Sequence, residues 1–170
     1  MTKWFIIGAA LSLVLIVIRL LEVYLRGSKR VYQYERRDNL MTRAERECYH
    51  ALVAEMGQDY TFFPQVHLDS IVTPKKSQGN QLYAFRHINQ KSVDFVACDK
   101  TQLRPLFAIE LDDKTHNLPS RVARDKEVER ILINATIPLI RIQNHGNFNP
   151  KELAQQVQHG IQHFSTLQSL

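Results

Sequence analysis

The chain has 170 residues, 44% hydrophobic and 23% charged, with a formal net charge of +5, enough for one domain with a real core plus an appendage. Residues 1–40 hold seven Lys/Arg against three Asp/Glu, whereas residues 41–170 hold fifteen against fourteen, so the domain is near neutral and argues against a strong sequence-independent grip on nucleic acid. Cys48 and Cys98 have no paired spacing, which argues against a zinc site or a disulfide frame and fits reduced, buried thiols of a cytosolic domain.

Trp4–Ile18 carries no charge, and apolar character resumes at Leu20, Leu21, Val23 and Leu25. At a helical rise of about 1.5 Å per residue this stretch covers roughly 33 Å, the thickness of a bilayer core. Arg19 and Glu22, three apart, can pair on one face, and Trp4 and Tyr24 fall near the two interfaces. A cleaved signal peptide would need a richer n-region than Lys3 and a small-residue cleavage site, so a retained anchor over 1–25 is the reading. Arg26, Lys29, Arg30, Arg36 and Arg37 follow in a basic linker, 26–40, and by the positive-inside rule put the C-terminal side in the cytoplasm. The same residues suit anionic lipid headgroups, with nucleic acid a lesser candidate.

The domain proper is assigned to 41–170. Thr42-Arg-Ala-Glu45 is a capping box that opens a helix to about Met56, with Ala44, Tyr49, Leu52, Val53 and Met56 as its apolar stripe and Gly57 as its stop. Tyr60–Leu68 reads as a strand, with Pro64 marking an edge or bulge. Thr73–Gln81 reads as a loop and Phe85–Lys91 as a short helical or irregular turn, bringing Arg86, His87 and Lys91 beside the carboxylates of the hairpin that follows. Val93–Cys98 and Leu106–Leu111 are apolar runs joined by the turn-like Asp99–Pro105, hence a hairpin. Glu110 and Asp112 alternate onto one face around the Leu111 carbonyl. With Asp94 across the pair they would gather hard oxygen donors of the kind Mg²⁺ or Mn²⁺ prefers. A helix from about Arg121 to Ala135 aligns Val128, Ile131, Leu132 and Ala135. Arg121 and Arg124 precede them on that face, with Asp125 at its edge. That charged first turn either abuts a polar site or overhangs into solvent. Ile137–Ile142 is a buried-type strand with Arg141 as its one charge, able to lie parallel to a hairpin strand. Lys151–Leu167 closes the chain as an amphipathic helix through Leu153, Val157, Ile161 and Phe164.

The motifs Val-Asp94-Phe-Val-x-Cys-Asp, Ile-Glu110-Leu-Asp112-Asp-x-x-His116, Arg124-Asp-Lys and Ile-Pro-Leu-Ile-Arg141-Ile together resemble a bacterial domain-of-unknown-function family, type 2726. They also resemble the PD-(D/E)XK restriction-endonuclease-like fold, through the very-short-patch-repair type endonucleases. The resemblance covers roughly Thr42 to Ile142. It implies an α/β core with a mixed β-sheet flanked by helices, behind one N-terminal transmembrane helix of a bacterial inner-membrane protein with a cytoplasmic C-terminal domain. It further implies a Mg²⁺-dependent (or Mn²⁺-dependent) nuclease. Asp94, Glu110 and Asp112 would be its metal ligands, the Leu111 carbonyl would help, and His116 and Arg124 would act on phosphate oxygens. The pattern departs at two places: Asp112 stands where (D/E)XK has Lys, and Asp113 where the endonucleases have glycine, with Lys91, Lys114 or Lys126 as candidates to compensate.

Plainer readings stand beside these. Asp94 and Glu110 would cap turns or pair with Arg124 and Arg141 inside the fold. His116 alone would be a loop histidine. The whole domain would then be a catalytically inactive nuclease-fold scaffold or binding module at the membrane.

Overall fold

The computed structural model describes residues 2–25, 32–75, 79–112 and 119–169, which divide into two compact units, Met1–Asp38 and Asn39–Leu170. In the first, helix α1 runs unbroken over Thr2–Leu25. Its Thr2–Glu22 portion, with a mean hydropathy of 2.5, is long and apolar enough to cross a membrane. Arg19 Nη1 lies 3.2 Å from Glu22 Oε2, so the two charges that interrupt the apolar run answer each other one turn apart.

The second unit contains, among the described residues, helix α2 (Arg43–Met56), strand β1 (Tyr60–His67), helix α3 (Gln81–Ile88), strands β2 (Ser92–Asp99) and β3 (Pro105–Asp112), helix α4 (Pro119–Asn134), strand β4 (Leu139–Gln143) and helix α5 (Pro150–Gln168). The strands form one mixed sheet in the order β1-β2-β3-β4. The first two pairings are antiparallel and β3–β4 is parallel, as a hairpin followed by a helical crossover requires.

Local chemistry explains the element ends. At the start of α2 the Thr42 hydroxyl accepts from Glu45 N while the Glu45 carboxylate accepts from Thr42 N at 2.7 Å, the reciprocal capping box. β1 is an edge strand, which is where Pro64, with no N–H to give, is tolerated; the next residue, Gln65, has φ +54°. The β2–β3 turn is fixed by Asp99, whose carboxylate accepts from the backbone N–H groups of Thr101, Gln102 and Arg104. Those bonds, led by Gln102 and Arg104, hold its carboxyl below the usual range.

Both sheet faces are covered. On one, Cys48, Leu52 and Met56 of α2 and Leu153 and Val157 of α5 pack on Phe95, Phe107, Ile109, Ile140 and Ile142. On the other, Val128 and Leu132 of α4 and Ile88 of α3 pack on Val96, Cys98 and Ala108. Gly160 lets α5 settle onto β4: a Cβ there would lie 2.8 Å from Ile140 Cγ1.

Two expectations change. Val53 is 41% exposed, because the inward face of α2 is centred on Cys48, Ala51, Leu52 and Met56 and Val53 falls well round the wheel from it. The segment expected as a loop to Gln81 and a short helical or irregular turn from Phe85 contains a regular helix, α3, that begins earlier, at Gln81, started by Asn80, whose Oδ1 accepts from Tyr83 N at 3.2 Å.

Candidate functional site

The acidic residues meet at one end of the sheet. The β2–β3 ladder runs to the pair Phe95–Ile109, with Glu110 the next residue of β3 and Asp94 the next of β2. There its side chain replaces a backbone partner: Leu111 N–H donates to Asp94 Oδ2 at 2.8 Å. On the other side of β3, the parallel register sets Glu110 beside Arg141 and Asp112 beside Gln143. Arg141 Nη1 lies 3.1 Å from Glu110 Oε2 and 3.0 Å from Asp112 Oδ1, one nitrogen shared by two carboxylates. Its Nη2 donates to the Asp125 carbonyl of α4 at 3.4 Å.

The charges are unbalanced, with more carboxylates than cations close together. Burial pushes the Glu110 carboxyl up to about 7; Arg141 pulls it down, while Asp94, Asp125 and Asp112 push it further up. Asp94 is likewise raised by burial, with the Leu111 N–H opposing, Glu45 and Asp112 adding to the rise, and the charge of Arg124 lowering it. Burial lowers the proton affinity of Arg141, but Glu110 and Asp112 more than offset this and leave it held above its ordinary value. Asp94 is felt on the other layer too: the Cys48 thiol of α2 is pushed up to about 12 by burial and then by the Asp94 charge.

Asp94, Glu110 and Asp112 are therefore brought together, and Arg124, exposed on α4, acts on Asp94 through its charge. His116 lies outside the described residues, as do Asp113 and Lys114. His87 and Lys91, expected beside the carboxylates, turn elsewhere: His87 Nε2 is 3.4 Å from Glu127 Oε1 of α4, and the Lys91 ammonium donates to the His87 carbonyl at the end of α3. Glu45 and Asp125 join the site electrostatically without having been singled out for it. Glu45 looked fully accounted for by its cap, and Asp125 looked peripheral to its helix face. Arg141 carried a legible signal, a lone charge in an apolar strand that must find a partner.

The donor set suits a hard divalent cation, since carboxylate oxygens are what Mg²⁺ and Mn²⁺ take. Arg141 already holds one oxygen each of Glu110 and Asp112, and among the described residues no three His, Cys, Asp or Glu side chains are gathered to hold a metal. Mg²⁺ is commonly held by one or two carboxylates with water and phosphate completing the shell. Asp94 and Glu110 fit that mode: the Asp94 charge raises the proton affinity of Glu110, and Asp112 raises that of both.

Fold and site define an α/β domain with a four-stranded mixed sheet and an acidic, arginine-bridged end, on a chain that also carries a bilayer-length helix. Residues 37–160 match the model of a family described as protein of unknown function (DUF2726), and the chain belongs to that family. No curated protein and no solved structure matches it.

Proposed function

We propose that the chain is a membrane-anchored nuclease-like protein of the PD-(D/E)XK type, hydrolysing nucleic-acid phosphodiesters with Mg²⁺ or Mn²⁺. The observation that carries the reading is the bond from the Leu111 N–H to Asp94 Oδ2, which sets Asp94 beside the Glu110–Asp112 segment at the end of the hairpin. Asp94 and Glu110 would hold the cation, which when bound would polarise the scissile phosphate and lower the pKa of an attacking water. Arg141 keeps Asp112 oriented, and Arg124 and His116 would meet phosphate oxygens. In this reading α1 is a single-pass anchor in a bacterial inner membrane, and the basic residues 26–37 keep the domain cytoplasmic.

A second reading, a catalytically inactive nuclease-fold scaffold, is favoured by one observation: Glu110 and Asp112 are already paired by Arg141. The two separate in two measurements on fragment 39–170, which has its own core. Mn²⁺ or Mg²⁺ raises its thermal midpoint if the native state binds the ion, and Glu110→Ala removes the rise. No rise, or one unchanged in Glu110→Ala, ends the metal reading. Cleavage of single- or double-stranded DNA or RNA, lost in Asp94→Asn, then separates enzyme from scaffold; cleavage that survives the substitution belongs to a contaminant.

A further inference from the structure

Helix α3 is amphipathic the wrong way round for a helix serving only the core. On a wheel of 100° per residue, Leu82, Phe85 and Arg86 share the outward side with Tyr83 at its margin, while Ile88 is its one buried residue. Leu82 is 58%, Tyr83 72% and Phe85 44% exposed. Isolated exposed apolar residues are ordinary, but three large ones on eight residues of helix form a patch that asks for a partner.

The charge around the patch points to what that partner is. Between Asp69 and Asp94 the sequence has Lys75, Lys76, Arg86 and Lys91 and no Asp or Glu, whereas the rest of 41–170 holds eleven Lys/Arg against fourteen Asp/Glu; of the four, Lys91 is already engaged by the His87 carbonyl. Tyr83 also edges a cavity of about 440 Å³ that Lys75 of the preceding loop and Arg130 of α4 line. Glu127 of α4 is taken up by Arg130 and His87. Leucine, phenylalanine and tyrosine flanked by Lys/Arg, on a short outward helix face, is the composition of an interfacial membrane contact. The chain brings its own lipid surface: a bilayer that takes up α1 is presented to the domain at the effective concentration of a tethered partner, on the order of millimolar, where a weak contact suffices.

We infer that the outward face of α3, through Leu82, Tyr83, Phe85 and Arg86, is a docking surface for an anionic lipid bilayer. This stands apart from the nuclease reading, since none of these residues belongs to the acidic site. The occupant is lipid and not single-stranded nucleic acid because Leu82 sits centrally in the patch and offers a base nothing to stack on.

The test uses fragment 39–170, which lacks α1 and, with Trp4 removed, has no tryptophan. Tyr83→Trp then reports on the patch alone. With phosphatidylcholine vesicles containing phosphatidylglycerol, on the order of millimolar lipid, its emission should shift to the blue. The shift should be absent with pure phosphatidylcholine and should weaken with salt. Co-sedimentation of the unaltered fragment gives the same result without a reporter. Leu82→Ser with Phe85→Ser should lower partitioning about tenfold or more. Unfolding of the double variant near the parent temperature shows that the fold is kept, both side chains being exposed. No partitioning of the parent at low salt overturns the proposal. So does partitioning that the double variant retains, or a Tyr83→Trp fragment whose emission responds to a single-stranded oligonucleotide and not to vesicles.

Discussion

Replacing Glu110 by glutamine isolates what the half-buried carboxylate does to the fold. Its carboxyl sits at about 7 against an ordinary 4.5, a rise of about 2.5 pH units that corresponds to roughly 3 kcal/mol. The sign follows from which state binds the proton more tightly. Here the folded state does, so its contribution to stability is full below about pH 4.5, falls as the pH rises, and is gone above about 7. Asp94, also raised, adds a loss of the same sign from a lower starting pH. Glutamine keeps the shape of the protonated side chain, and the pull of Arg141 is already contained in the value of about 7. Glu110→Gln should therefore match the parent near pH 4 and exceed it near pH 8 by up to about 3 kcal/mol, or about 10 °C for a domain of this size. The assay is thermal unfolding of fragment 39–170 in chelator at both pH values. A parent equally stable at the two, with no gain from glutamine, would refute the reasoning that burial and surrounding acids hold this proton.

Four further outcomes follow from the same contacts. Arg141→Met leaves Glu110 and Asp112 without their shared cation and should cost about 2–4 kcal/mol near pH 8, less near pH 5, in urea unfolding. Gly160→Ala puts a methyl group into the space of Ile140 and should cost about 1–3 kcal/mol by the same measurement. Thr42→Ala removes the hydroxyl from the α2 capping box and should cost about 1 kcal/mol. Cys48 and Cys98, both free and buried, should resist a thiol reagent in the native protein and react fully in denaturant, and prompt native labelling of Cys48 would contradict its burial.

What the sequence made legible was what neighbouring residues decide. The hairpin followed from two short apolar runs around a polar turn opened by Asp99, the start of α2 from Thr42 and Glu45, and the mixed sheet from strand, hairpin, helix and strand in that order. Glu110 and Asp112 were legible on one face because strand alternation sets residues two apart on the same side, whereas the approach of Asp94 to them depends on how the hairpin pairs at its end. The pairing of Glu110 with Arg141 was among the plainer readings of the sequence, but the sharing of the same nitrogen with Asp112 depends on the register of a parallel strand across a crossover helix, which no local pattern sets. His87 and Lys91 are close to Asp94 in sequence and still turn to Glu127 and the end of α3, since helix α3 lies against α4. The outward apolar face of α3 was hidden for a related reason: until a regular helix is recognised, Leu82, Tyr83 and Phe85 have no common side.

The bond between Asp94 and the Leu111 amide has a practical consequence for anyone probing this chain. The carboxylate proposed to take part in chemistry also closes the gap where the two strands stop pairing, so cutting it back to alanine would strip an acceptor from a half-buried N–H as well as a charge. Loss of activity after that truncation would confuse a loosened hairpin with a missing ligand. Asparagine, which retains an oxygen for the amide and discards only the charge, keeps the two apart.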